Sequence, residues 1–265
     1  MADILTKIYA AKAAHRDAAE AAEPYEAIRA RALDRRAERR PFGAALRAAD
    51  GPAIIAEIKR ASPSAGLIAR NFDPGAIAAT YEAAGVDAIS VLTEEDHFLG
   101  ELAFLDVARA RSTRPILRKD FLATRYDVAQ SAAYGADCIL LIVAGLSDER
   151  LAACVDEART FDLGVLVEVH DAGEATRALG LGADAIGINN RDLRTFETDL
   201  AVSEQLLPLL PEGTFAISES GMRDAGDVRR LHEAGARGFL IGEALMRAAD
   251  PAALIRTLRS TESPA

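Results

Sequence analysis

Cysteine, histidine and long apolar runs are all scarce in this chain, and each shortage removes a class of protein. The two cysteines among 265 residues, Cys138 and Cys154, fall in an expected strand and an expected helix, without CxxC spacing and without histidines around them. A disulfide framework and a zinc module are thereby excluded, and two reduced core thiols are expected. No apolar stretch is long enough to span a bilayer. The opening MADILTKIYAAKAAHRDAAEAAE interleaves acidic and basic residues and has no apolar core of signal-peptide length, so the expected location is cytoplasmic. Positive charge is also in deficit: 41 acidic residues against 31 basic ones leave a net charge of −10. Nucleic acid or an anionic membrane as main partner is disfavoured, because both demand a strong positive field. An anionic ligand would need a local basic pocket. Linkers and low-complexity segments are absent too, so residues 1–265 are expected to form one domain around one core, and α/β barrels are common at this length.

What is present is a rhythm. Residues 2 to 22 are Ala-rich with Ile4, Leu5, Ile8 and Tyr9 at helical spacing; Pro24 interrupts, and a second helical run extends from Tyr25 to Arg39. These form a helical N-terminal extension over residues 1–45, closed by Pro41. The cluster Arg35, Arg36, Arg39 and Arg40 is interleaved with Asp34 and Glu38, which favours a solvated helix face over a nucleic-acid patch. From Ala53 onward, short β-rich runs alternate with helical ones: Ala53–Lys59, Ala88–Leu92, Pro115–Lys119, Asp137–Val143, Val165–Val169, Ala185–Asn189, Thr214–Ser218 and Gly238–Ile241. Eight βα units predict a parallel sheet, and eight strands close a barrel. An internal repeat supports the count. EAAGVDAISVL, AAYGADCILLI, LGLGADAIGIN and HEAGARGFLIG recur roughly every 50 residues, two βα units apart, each with a glycine (Gly85, Gly135, Gly182, Gly235) where a left-handed residue stops the preceding helix.

In AIIAEIKRASPSAG the first strand is apolar on both faces until one face turns charged, with Ile55, Glu57 and Lys59 together on that face. Parallel barrels carry their chemistry at the C-terminal strand ends. Those ends supply Glu57 and Lys59, then Lys119, Glu168, Asn189 with Arg191, and finally Glu219 with Ser220. Carboxylates and cations converging on one mouth perturb one another's protonation and suit acid–base work on a charged substrate. A structural ion pair is the plainer reading of Glu57 and Lys59 alone, but a whole ring of buried charges costs too much for a scaffold. SESGM and LIGEALM place Gly221 and Gly242 between late strands and helix starts, where backbone N–H groups and the helix dipole favour a phosphate; either glycine alone could be a turn residue. Glu168 and His170 lie two apart on one strand, a spacing open to metal ligands, but no further ligand joins them and the lysines oppose a cation, so no metal is expected. His15, His97 and His232 belong to no constellation.

IIAEIKRASPS, SVLTEE, PILRKDF, VLVEV, GINNRDL, SESG and FLIGEALM, in this order and at these spacings, resemble indole-3-glycerol phosphate synthase of tryptophan biosynthesis, and the resemblance covers the whole chain. It implies a cofactor-free, metal-free (β/α)8 barrel, a TIM barrel, expected to act as a monomer on a small phosphorylated substrate. The implied reaction turns 1-(2-carboxyphenylamino)-1-deoxyribulose 5-phosphate into indole-3-glycerol phosphate with loss of carbon dioxide and water. By the same resemblance Lys119 is the general acid at the keto oxygen and Glu168 its proton-handling partner. Glu57 and Lys59 serve positioning and dehydration, with Lys59 also near the phosphate. Asn189 and Glu219 bond the substrate hydroxyls. Arg191, Ser220, Gly221 and Gly242 serve the carboxylate or phosphate side, with Ser62 also binding substrate, and Leu92 and Phe98 wall the aromatic ring. Glu243 stands where some relatives have a small hydroxyl residue; if the backbone binds phosphate, its side chain can point away. Two rivals remain, a Schiff-base sugar-phosphate aldolase built on the same lysine and a ligand-binding barrel without turnover. A sugar-phosphate isomerase is weaker, since no cysteine and aspartate oppose one another at strand ends.

Overall fold

The computed structural model describes residues 4–192 and 195–259. Eight parallel strands close on themselves: β1 Ala53–Ile58, β2 Ala88–Leu92, β3 Ile116–Lys119, β4 Cys138–Ile142, β5 Gly164–Val169, β6 Ala185–Asn189, β7 Ala216–Glu219 and β8 Gly238–Ile241. Closure is made by β1, which pairs Ile55 with Ala88 on one side and Ala53 with Gly238 on the other. Helices follow the strands, and Gly85, Gly135, Gly182 and Gly235 all take positive φ, from +66° to +119°, as helix-stopping residues should.

The period-2 alternation sorts the core into two layers. Ile54, Ala56 and Ile58 of β1, Val165, Val167 and Val169 of β5, and Ile139 and Leu141 of β4 face the helices. Ala53 and Ile55, Leu117, Cys138, Leu140, Leu166, Ile217 and Leu240 fill the barrel. On that inner face the apolar residues end toward the C-terminal side, and Glu57, Lys119, Glu168, Asn189 and Glu219 follow them in register. Both cysteines are buried and free. No helix of the described residues is long and apolar enough to cross a membrane.

Helices before β1 close both ends. At the far end, α1 (Ile4–Ala22) lies by the C-terminal mouth. Its Lys12 ammonium is 3.0 Å from Asp120 and 2.9 Å from Glu95, and its Tyr9 ring meets Phe121 edge-on at 5.7 Å. The helix α2 (Tyr25–Asp34) packs Ile28 and Ala32 toward Arg125–Ala133. A short α3 (Phe42–Arg47), not expected from sequence, sends Phe42 and Leu46 into the barrel interior from below. Pro41 therefore starts a helix rather than merely ending one.

The arginine cluster differs from a solvated face. Arg39 donates to the carbonyls of Ala132 and Phe161, Arg40 to that of Arg114, Arg35 to Asp106 and the Ala133 carbonyl, and Arg36 to Asp162. These are chain ends of the barrel bottom, so the charges staple the extension to it. Tertiary partners 70 or more positions away leave no trace in local spacing. Under them Asp137 accepts from the backbone of Arg40 and Ile116 and pairs with buried Arg109 at 2.7 Å. Asp137→Ala leaves that guanidinium without its carboxylate, and denaturant unfolding should show a loss of about 3 kcal/mol or more; a loss below about 1 kcal/mol, the scale of an exposed pair, contradicts this account.

Candidate active site

The strand-end residues do converge. A cavity of about 570 Å³ at the C-terminal mouth is lined by Glu57, Lys59, Lys119, Glu168, Asn189, Arg191 and Glu219, with Ser62, Leu92, Phe98, Ser220, Gly221, Gly242 and Glu243 completing the expected set. At its centre the Lys119 ammonium lies 2.8 Å from Glu168 and 3.2 Å from Glu219, and Asn189 donates to the other Glu168 oxygen at 3.1 Å. Lys59 and Glu57 form a second pair at 2.6 Å.

Electrostatics separates these groups. Burial opposes the Lys119 charge, but the carboxylates of Glu168, Glu219 and Glu57 outweigh it and raise its pKa above that of a free lysine. Burial likewise favours a protonated Glu168, yet Lys119, then His170, and hydrogen bonds from Lys119 and Asn189 hold its pKa below the usual carboxylate range. Glu219 goes the other way. Burial is the main cause, Lys119 resists, Glu168 and Glu57 add repulsion, and the pKa is pushed up to about 7. Lys119 is close to Glu219 but poorly aligned, so neither Glu219 oxygen accepts a hydrogen bond from the protein. One ammonium cannot satisfy both buried carboxylates, and the less bonded of them is the harder to ionise. Gly187 on β6 makes room for it, since an added Cβ would overlap the Glu219 carboxylate.

The two ends of the cavity differ. Leu92, Phe98, Phe121, Leu140 and Ile142 form an apolar wall, with Phe98 and Phe121 tilted at 6.1 Å. Opposite, Lys59, Arg191, Arg223 and Arg247 bring positive charge. Arg191 donates to Ser64 Oγ at 3.2 Å and to the Phe196 carbonyl, tying the loop after β1 to the loop after β6. Ser62, in a two-residue hairpin with Gly66–Leu67, accepts from the Ala65 N–H. Gly242 caps the helix Glu243–Arg247, and a Cβ there would overlap the Glu57 carboxylate, so close approach excludes a side chain. Glu243 turns along its helix to pair with Arg247 at 3.0 Å.

Gly221 requires a correction. It follows Ser220 in the left-handed region, at φ +89° after +63°, but no helix starts there. The next helix, Ala225–Glu233, is capped by Asp224, whose carboxylate accepts from the N–H groups of Gly226 and Asp227. Of the two glycines, only Gly242 stands at a helix start.

Residues 5–258 match the family model of indole-3-glycerol phosphate synthase. The chain belongs to that family. It is 48% identical over 262 residues to the indole-3-glycerol phosphate synthase of Laribacter hongkongensis, covering 97% of this chain and 99% of the relative. For that of Chromobacterium violaceum the identity is 44%, covering 99% and 100%. Among solved structures, 3-hexulose-6-phosphate synthase from Salmonella typhimurium superposes with a TM-score of 0.63 at 14% identity, over 78% of this chain and 96% of that one. That likeness concerns the barrel only.

Sequence reading missed several groups that an indole-3-glycerol phosphate synthase barrel brings to this mouth. Phe121 is two residues beyond Lys119 and on its face, a signal present in PILRKDF. Glu94 is fully buried and accepts from the N–H groups of His97 and Phe98, fixing the loop that carries Phe98; nothing local tells it from Glu95. Among the described residues no group of three or more His, Cys, Asp or Glu is arranged to hold a metal.

The Glu219 shift has a thermodynamic consequence. A carboxyl whose folded pKa exceeds its unfolded value gives stability at low pH that is lost as pH rises through the folded value, here between about 4.5 and 7. Glu219→Gln removes that dependence. Its melting temperature relative to the parent should rise from pH 5 to pH 8, and a constant difference across this range contradicts the raised pKa.

Proposed function

We infer that this chain is an indole-3-glycerol phosphate synthase: it closes the pyrrole ring of 1-(2-carboxyphenylamino)-1-deoxyribulose 5-phosphate, with decarboxylation and dehydration, to give indole-3-glycerol phosphate. The observation that carries the residue roles is the Lys119 ammonium held between Glu168 and Glu219 in a mouth that is apolar on one side and cationic on the other. The aromatic ring fits against Leu92, Phe98 and Phe121. The phosphate fits near Lys59, the Gly242 N–H and the loop of Ser220 and Gly221, with Arg191 and Ser62 beside it.

In this reading Lys119, charged by its carboxylate neighbours, donates to the keto oxygen as the ring carbon attacks, because the developing alkoxide needs a proton. Glu168 holds Lys119 in place and exchanges protons with it. Glu57 and Lys59 serve the later loss of hydroxide as water, while Asn189 and Glu219 bond the sugar hydroxyls. The charged lysine also disfavours the aldolase alternative: Schiff-base formation needs an unprotonated amine, and three carboxylates oppose one.

Incubation with the carboxyphenylamino ribulose phosphate should yield indole fluorescence; no product from folded protein sinks the assignment. Lys119→Met should lower kcat by about 100-fold or more with little change in KM, since a general acid acts in the transition state. Near-parental turnover would put the acid elsewhere. Valine at Gly242 is a poor probe of phosphate binding because it displaces Glu57, so the anion site is better read by inhibition: inorganic phosphate should compete with substrate, and purely non-competitive inhibition contradicts the site.

A further inference from the structure

Charge balance of this reaction requires one proton per turnover. One proton enters at the keto oxygen as the new carbon–carbon bond forms. The ring carboxylate then leaves as carbon dioxide, its bonding pair returning to the ring. A second proton leaves with the hydroxyl as water, and the methylene carbon gives one back as the ring becomes aromatic. The net uptake is one, and it must reach a cluster whose mouth is filled by substrate.

Behind Glu168, outside the residues that line the cavity, stands His170. Its Nε2 is 3.5 Å from Glu168 Oε1 and, though buried, makes no hydrogen bond. Its Nδ1 is 3.1 Å from Glu174 Oε2, and its backbone N–H donates to the same oxygen at 2.8 Å. The side chain of Glu168 is 1% exposed, those of His170 and Glu174 17% and 16%, so the chain of groups runs from the sealed cluster to solvent. With a carboxylate oxygen 3.5 Å from one nitrogen and 3.1 Å from the other, the ring faces acceptors on both sides, which favours the imidazolium.

We propose, building on Lys119 and Glu168 as the proton-handling pair, that His170 held by Glu174 stores the proton that each turnover consumes and delivers it to Glu168. The Nε2–H bond breaks as an O–H bond forms on Glu168, which restores the proton that Lys119 has given up. Between turnovers, once product has left the mouth, the vacated Nε2 regains its proton through Glu168, which lines the cavity. His170 acts through Glu168 and is thus a positioning residue. Its surroundings agree: burial opposes its charge, but Glu174, Glu168 and Glu219 together raise its pKa. Beyond these three carboxylates, Lys119 on β3 acts on the ring through Glu168.

The test is the pH dependence of kcat in parent, His170→Asn and Glu174→Gln, with melts to confirm folding. The parent should lose kcat as pH rises through the raised His170 pKa. Glu174→Gln removes one stabilising carboxylate and should move that limb to lower pH. His170→Asn should abolish it and lower kcat about 10-fold at unchanged KM, with recovery in imidazole buffer. If the limb stays where it is in both variants, or in Glu174→Gln alone should His170→Asn fail to fold, the proposal is overturned. Product formation by the parent separates this failure from failure of the assigned reaction, which would leave no indole in any sample.

Discussion

A single desolvated ammonium organises the mouth of this barrel. Lys119 neutralises Glu168 and eases the ionisation of Glu219, and both carboxylates are only 1% exposed. Without a cation there, two buried like charges would face each other at a cost of several kcal/mol. Much of the surrounding structure holds that ammonium in place. On the outer face of the same strand, Arg118 is buried and donates to Thr93, Gln130, Ser131 and Asp120. Asp120 also accepts from Thr93 and Lys12, so the end of β3 is fixed to the neighbouring strand end and to α1. The extension is thus coupled to the position of the reacting group through one carboxylate.

Much of this was readable in advance where the signal is periodic. A strand buried on both faces that becomes charged on one face only can be recognised from Ala53 to Lys59, because side-chain alternation is fixed by backbone geometry. The four helix-stopping glycines were equally legible, since positive φ is a local demand that few other residues meet. Lys119, Glu168, Asn189 and Glu219 could be placed at one mouth by register alone.

What escaped depends on partners distant in sequence. The arginines of residues 35–40 look like an exposed face because their acceptors are carbonyls brought up by the barrel. Gly221 looks like a helix entry, yet three residues intervene and Asp224 takes the N-terminus. Glu94 and Glu95 are alike in sequence and opposite in burial. Gly242 reads as a phosphate-side glycine at a helix start and Gly187 as an ordinary strand residue, whereas each is also required by a carboxylate pressed against the backbone.

The protonation pattern resolves an apparent conflict between an acidic cluster and an anionic substrate. Glu57, Glu168 and Glu219 face Lys59 and Lys119, three potential negative charges against two positive ones. With all ionised, the cluster would carry a net negative charge and repel the ring carboxylate it must receive. A proton on Glu219 brings the sum of these five groups to zero, and burial with too few hydrogen-bond donors raises the pKa at which that proton leaves to about 7. The same shortage of donors that makes Glu219 a poor ion makes the pocket tolerable to a substrate anion. Carbon dioxide then removes the ring carboxylate's charge, and a proton from solvent must balance it. A cluster that must take up one proton in each turnover while substrate fills its mouth needs a group behind its carboxylates that can hold one in reserve, and a histidine between two glutamates meets that requirement.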